Sequence, residues 1–190
     1  MGSSVLLRQK YGTKIFLGEK DLPYANGMID LTWAKELGFE YVHPFEPDVL
    51  LKDGDKITLG NTTIKCYHTS GHTPGTMSFV FNSTSKGKDY ICSTFGGAGT
   101  NTMEAWFLEK YGLSYDCRDD FRKSLHKMAD IDVDIHLGNH PFNNDTSRKV
   151  KHWMENPTAQ NPFINKQDWN IFLKSCENNL NELIEKERSN

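Results

Sequence analysis

The alternation of apolar and polar residues between Lys56 and Phe95 constrains the fold more than any other feature of the sequence. The segment KITLGNTTIKCYHT alternates on both sides of Gly60–Asn61, a residue pair that suits a tight turn. TMSFVFNSTSKGKDYICSTF repeats this arrangement around a turn rich in Ser, Lys and Gly. Because successive side chains of a strand point to opposite faces, such segments joined by short turns predict β-hairpins. The centre of the chain is therefore predicted to form an antiparallel sheet.

Helical patterns lie on both sides of this predicted sheet. The N-terminal run VLLRQKY ends at Gly12, which suits the end of a helix. A second short helix is predicted from Asp30 to Gly38, and a long amphipathic helix is predicted for residues 162–190. Further helices are predicted at MEAWFLEKYG, DCRDDFRKSLHKMA and SRKVKHWMEN, and further strands at KIFL and IDVDIHLG. This order predicts a single layered α/β or α+β domain over residues 1–190.

Composition and charge exclude several classes of protein. The net charge is −3 and no stripe of Lys or Arg stands out, so no nucleic-acid partner is predicted. The longest apolar runs, such as residues 78–81, are far shorter than the about 20 residues of a membrane-spanning helix. None of the four cysteines is paired at CxxC spacing, which favours buried free thiols over a disulfide framework. The chain opens with no signal-peptide pattern, which favours a cytoplasmic location.

Two short histidine-containing segments are the candidates for chemistry. HTSGHTPG (68–75) follows a predicted strand, and HLGNHP (136–141) ends another. Strand ends fix the geometry of a loop while leaving its side chains accessible, which suits metal ligands. The backbone freedom of Gly71 and the fixed φ of Pro74 would hold the histidine between them in one orientation. We therefore select His72 and His140 as candidate metal ligands.

The other histidines and the glycine-rich segment have different interpretations. His68 and His136 each lie four residues before a candidate ligand, and we predict that they support the loops structurally. FGGAGTN (95–101) lacks the spacing of a phosphate-binding loop, and a strand-to-helix turn lining an active site is the better interpretation. Four aromatic residues could line an apolar pocket, although core packing is favoured for most of them: Phe95, Trp106, Tyr115 and Phe142.

These segments, in this order, resemble the metallo-β-lactamase superfamily, and in particular its third subclass of metallo-β-lactamases. GHTPG after a hairpin resembles the segment that carries the last histidine of the first zinc site, which is His72 here. The strand ending in a His-Pro loop resembles the segment that carries the last ligand of the second site, which is His140 here. Many members have a bridging Asp near the position of Ser93–Gly96, and its absence here supports the third subclass.

The resemblance implies a fold and a chemistry. The family fold is a four-layer αββα sandwich, and one or two zinc ions activate a water that attacks an amide, ester or thioester carbonyl. A small-molecule substrate and zinc are therefore expected for an intact family member. The residues expected around the ligands, supporting them or shaping their loops, are His68, Gly71, Thr73, Pro74, Gly75, Gly96, Gly97, His136 and Asn139.

One departure from the family changes the expectation for this chain. The HxHxDH motif that supplies most of the family's metal ligands does not occur in the sequence. We therefore expect an N-terminally truncated sandwich that lacks its first strands, binds zinc weakly or not at all, and is inactive alone. Its uncovered sheet face is expected to favour self-association. The alternatives are a non-catalytic remnant or binding module of the same fold, and a site completed by a partner chain.

Overall fold

A computed structural model describes residues 2–30 and 44–189 of the chain. The α-helices in this part are α1 (Gly2–Tyr11), α2 (Leu22–Ala25), α3 (Ala105–Tyr111), α4 (Asp116–Ala129), α5 (Thr146–Glu155) and α6 (Lys166–Arg188). The strands are β1 (Phe16–Gly18), β2 (Val49–Leu51), β3 (Lys56–Leu59), β4 (Thr62–His68), β5 (Met77–Ser85), β6 (Lys88–Thr94) and β7 (Ile135–His136). Short 3-10 helices occupy Glu19–Asp21 and Asn101–Met103. Most of the helix predicted from Asp30, residues 31–38, lies outside the described residues, as does His43.

The main sheet has the strand order β3-β4-β5-β6-β7, and its strands are antiparallel except for the parallel pair β6 and β7. The two predicted hairpins are confirmed. The second turns through Lys86 and Gly87, whose φ angles of 51° and 74° are those of a tight two-residue turn. β7 is shorter than the predicted strand IDVDIHLG, since the side chain of Asp134 accepts the Ile91 N–H (2.9 Å) in place of a strand carbonyl.

One face of this sheet is covered by α4 and α6. Their buried residues form the largest core cluster, which includes Phe121, Leu125, Trp169 and Leu180, and Val80 of β5 packs against it. The amphipathic pattern of both helices accounts for this arrangement, because each turns its apolar stripe towards the sheet. The first residue of α6 is Lys166 rather than the predicted 162.

The opposite face of the sheet carries β1 and β2, which pair in parallel. On the side that faces the main sheet, Leu51 of β2 packs on Cys66 and Met77. On the side that faces away from it, Ile15 packs with Ala25 and against Val5 of α1. The described residues therefore form four layers: α4 and α6, the five-stranded sheet, the β1–β2 pair, and α1 with α2. This is the predicted partial αββα sandwich.

The described helices do not include a membrane-spanning segment, because each is too short or too polar to cross a bilayer.

Candidate functional site

The loop between β4 and β5 carries His72 and packs against α4. Gly71 has φ +141°, and a Cβ at this position would lie 2.6 Å from the Cβ of Phe121. Only glycine tolerates both the backbone angle and the close approach. At the base of the loop, the N–H of Thr69 donates to the carbonyl of Thr76 (2.9 Å). The loop is therefore fixed both to the sheet and to the helix beneath it.

Asp21, which follows β1, binds this loop from the side. The Thr73 hydroxyl donates to Asp21 Oδ2 (2.6 Å), and the Gly75 N–H donates to Asp21 Oδ1 (2.6 Å). A Cβ on Gly75 would lie 2.4 Å from the Asp21 nitrogen, so the missing side chain permits the approach. Burial raises the pKa of the Asp21 carboxyl above its ordinary value, and the two hydrogen bonds oppose that rise by favouring the ionised form.

The imidazole of His72 is held by the glycine-rich segment. Its Nδ1 lies 2.9 Å from the Gly99 carbonyl oxygen, which can only accept, so Nδ1 carries the proton when the ring is neutral. The Thr102 hydroxyl donates to the His72 carbonyl (2.7 Å) and lies 3.2 Å from Nδ1 as a second acceptor. The tautomer set by these contacts leaves Nε2 with a free lone pair, as a metal-binding histidine requires.

A buried ion pair fixes the segment that holds His72. Arg118 of α4 is 9% exposed, and its guanidinium donates to the Met103 carbonyl through Nε (2.9 Å) and Nη2 (2.7 Å). Its Nη2 also donates to Glu187 near the end of α6 (2.6 Å). The other carboxylate oxygen of Glu187 accepts the N–H of Ala105, the first residue of α3 (2.7 Å). This pair therefore anchors the 3-10 turn that contains Thr102.

His140 lies in the loop after β7 and is exposed. Its ring stacks on Phe142, with centroids 5.1 Å apart and planes 4° apart. Its backbone N–H donates to the Asn143 side chain (2.9 Å). The preceding residue, Asn139, accepts from the Thr94 hydroxyl at the end of β6 (2.7 Å). The loop thus has a fixed backbone, while the ring of His140 remains accessible.

His72 and His140 line the same cleft, which has a volume of about 990 Å³. The glycine-rich turn 97–101 forms the wall beside His72, as the sequence predicts for this turn. The lining also includes Lys149 of α5 and Asp168 of α6, whose side chains form an ion pair. A cleft of this size accommodates a small molecule.

His136 lies outside this cleft, in the core. It is 2% exposed, and its ring lies 4.2 Å from that of Phe172 and 5.3 Å from that of Trp169, centroid to centroid. Among the described residues neither ring nitrogen has a hydrogen-bond partner, and the buried hydroxyl of the neighbouring Ser93 has none either. Burial lowers the pKa of His136 to about 4, so the ring is neutral at pH 7.

The remaining selected residues lie around the loops. His68 donates from Nε2 to the Pro74 carbonyl (2.6 Å), which closes the loop from its other side. A Cβ on Gly96 would lie 2.1 Å from the Met77 carbonyl oxygen, and one on Gly97 would lie 2.5 Å from the Cβ of His72. Both glycines therefore allow the turn to approach its neighbours closely.

The expectation that most of the four selected aromatic residues pack in the core is wrong. Phe95 is a core residue, but Trp106, Tyr115 and Phe142 are 48%, 43% and 78% exposed. Of these three, Phe142 lines the cleft that contains His140. The sequence around Trp106 and Tyr115 does not show which side chains the rest of the protein covers, because that depends on how α3 and α4 pack.

Sequence reasoning missed Asp21, Thr102 and the Arg118–Glu187 pair. Asp21 contacts residues 52 and 54 positions away, and Arg118 contacts one 69 positions away. No local pattern marks such contacts. Asp21 was detectable only as an acidic residue soon after a predicted strand.

The described residues do not supply a complete zinc site. Within residues 2–30 and 44–189, no three His, Cys, Asp or Glu side chains are grouped so that they could hold one metal ion. A catalytic zinc has about three protein ligands and a water. The two histidines of the cleft fall short of that number.

Comparison with solved structures identifies the fold. Native FEZ-1 metallo-β-lactamase from Legionella gormanii is 22% identical, with a TM-score of 0.85 over 100% of this chain and 71% of its own. BJP-1, a subclass B3 metallo-β-lactamase of Bradyrhizobium japonicum, is 22% identical, with a TM-score of 0.80 over 100% and 69%. LRA-12, a class B3 di-zinc metallo-β-lactamase from an Alaskan soil metagenome, is 19% identical, with a TM-score of 0.73 over 95% and 67%. No protein-family model and no curated protein matches the sequence.

The chain therefore has the fold of the metallo-β-lactamase superfamily, as its motifs predict. Subclass B3 metallo-β-lactamases are among the solved structures that share this fold.

Proposed function

We propose that this chain carries two metal-binding histidines, His72 and His140, of a zinc-dependent hydrolase with the metallo-β-lactamase fold. The observation that supports this most is that the two residues, from distant loops, line one cleft. The contact between His72 Nδ1 and the Gly99 carbonyl adds support, because it favours the tautomer in which Nε2 keeps its lone pair for a metal. In such hydrolases bound zinc supplies an activated water that attacks a carbonyl group.

The side chains of this chain have defined parts in that proposal. Gly99 and Thr102 hold His72 in the Nδ1-protonated tautomer, and Asn143 holds the backbone of His140. Phe142, which is stacked on His140, offers an exposed apolar surface to a substrate in the cleft. The ion pair between Lys149 and Asp168, which also line the cleft, neutralises both of their charges.

Two histidines are too few for a tightly bound zinc. We therefore expect weak zinc binding and no hydrolysis from this chain alone. The remaining ligands would come from residues outside the described part or from a second chain.

The test is metal binding by purified chain and by three variants. Zinc per chain is measured by elemental analysis before and after dialysis against a weak chelator, and zinc affinity by calorimetric titration. His72→Ala and His140→Ala should each weaken the residual binding about tenfold or more. His126→Ala is the matched control, because His126 is exposed on α4 and its Nε2 lies 3.2 Å from Glu177.

Either of two results contradicts the proposal. Zinc that survives dialysis at one or more ions per chain would mean that other residues complete a site. Equal affinities in all three variants would mean that His72 and His140 are not the ligands.

A non-catalytic binding module with the same fold is the second candidate. The lack of a three-donor group among the described residues favours it. So do two exposed apolar side chains, Leu59 of β3, which is 84% exposed, and Leu50 of β2, which is 40% exposed. Sedimentation velocity at increasing protein concentration tests for self-association through Leu59, with Leu59→Lys as the variant that should abolish it.

A further inference from the structure

We infer that Asp21 is a positioning residue for His72: its carboxylate holds the 73–75 backbone so that the imidazole of His72 keeps one orientation and one tautomer. The functional meaning of this inference rests on the proposed role of His72 as a metal ligand. The geometry on which it stands does not depend on a metal.

Asp21 contacts both sides of the turn that follows His72. The Thr73 hydroxyl donates to one carboxylate oxygen and the Gly75 N–H donates to the other, each at 2.6 Å. Thr73 is the residue next to His72, and Gly75 ends the same turn. A carboxylate with both oxygens engaged by donors on one loop restrains that loop in two directions.

The surroundings of Asp21 show that this contact is built into the packing. A Cβ on Gly18 would lie 1.9 Å from the Gly75 carbonyl oxygen, and a Cβ on Gly75 would lie 2.6 Å from Asp21 Cγ. Two missing side chains thus let β1 and the loop meet at van der Waals distance. Burial raises the pKa of the Asp21 carboxyl, which is consistent with a carboxylate enclosed by the loop.

Restraint of the loop backbone is passed to the imidazole of His72. The Gly99 carbonyl accepts a hydrogen bond from the Nδ1–H of the ring only while the backbone of His72 keeps its place. Thr102, from the same segment, donates to the His72 carbonyl and so ties that backbone to Gly99. Without Asp21 the 73–75 turn loses two hydrogen bonds. The ring is then free to leave Gly99 and to exchange between its two tautomers.

The experiment is NMR of the histidine side chains in the metal-free full chain at pH 8, where neutral rings report their tautomers through the 15N shifts of Nδ1 and Nε2. The wild type should show His72 as the Nδ1-protonated tautomer. Asp21→Ala should lose this single-tautomer signature at His72 and leave His126 unchanged. Asp21→Asn should retain part of it, because the amide oxygen still accepts one hydrogen bond.

Asp48→Ala is the matched control. Asp48 also accepts a backbone N–H, that of Ile15 at 2.7 Å, but it lies away from the His72 loop. A signature at His72 that survives in Asp21→Ala, or that is lost equally in Asp48→Ala, overturns the inference. If Asp21→Ala does not fold, Thr73→Val removes one of the two donors, and it should produce a smaller change in the same direction; no change would overturn the inference as well.

The zinc titrations give a separate result. Suppose that Asp21→Ala removes the single-tautomer signature of His72, while His72→Ala leaves the zinc affinity unchanged. This pair of results supports the positioning role of Asp21 and contradicts the proposed function.

Discussion

Acidification should destabilise the protein through His136. Its pKa is lowered to about 4 in the folded chain, mainly by burial, against about 6.5 in the unfolded chain. The neutral ring therefore contributes stability that is complete above pH 6.5 and is lost as the pH falls towards 4. The whole effect is about 3 kcal/mol, and about 2 kcal/mol of it is lost by pH 5. The charge of Asp168 opposes the lowering of the His136 pKa, and the charge of Lys149 reinforces it.

The assay compares urea unfolding of the wild type and of His136→Leu at pH 7.5 and pH 5. Leucine fills similar space without a titrating group, and it removes two nitrogens that have no partner among the described residues. The variant should therefore be at least as stable as the wild type at pH 7.5. The difference in its favour should grow by about 2 kcal/mol at pH 5, because protonation penalises only the wild type. A difference that stays constant between the two pH values would refute the reasoning, as would a His136 pKa near 6.5 measured by NMR in the folded chain.

Three further outcomes are expected. Gly97→Ala should cost about 1–3 kcal/mol in urea unfolding and disturb the NMR signals of His72, because Gly97 has φ +62° and the new Cβ would lie 2.5 Å from the Cβ of His72; an unchanged stability would show that the turn moves freely. Arg118→Ala should lower the free energy of unfolding by about 3 kcal/mol, since it leaves the Glu187 carboxylate without its cationic partner. A double-mutant cycle with Glu187→Ala should give a coupling energy above 0.5 kcal/mol, the lower end for contacting residues. A chelator should leave the thermal midpoint unchanged, because apolar clusters hold the fold; a fall of several degrees would reveal a metal that the fold requires.

The elements that the sequence predicted are those with a regular local period. The hairpin around Gly60–Asn61 and the helices α4 and α6 follow from spacing alone. Their apolar residues recur every two positions in the strands and every three or four positions in the helices, so a short stretch of sequence shows which face is buried. Strand β7 was predicted to begin too early in the chain. Asp134, just before its first residue, meets Ile91 through its side chain. Nothing in the local sequence shows that this side chain, and not a backbone group, meets Ile91.

In the candidate site as well, the local sequence predicted some features and long-range contacts determine the others. The loop of His72 was found because the backbone freedom of Gly71 and the fixed φ of Pro74 form a recognisable pattern after a predicted strand. The groups that orient His72 come from elsewhere: Gly99 and Thr102 from the next loop, and Asp21 from far upstream. Only the folded chain brings them together.

The link between Glu187 and Arg118 also bears on when the cleft can form during synthesis. Arg118 holds the Met103 carbonyl, and Glu187 holds both Arg118 and the N–H of Ala105. On a ribosome the loops that carry His72 and His140 emerge long before residue 187 does. A nascent chain that has not yet released α6 therefore exposes His72 beside a wall that is not yet anchored. The wall beside His72 should accordingly become fixed only after the last turns of α6 leave the exit tunnel.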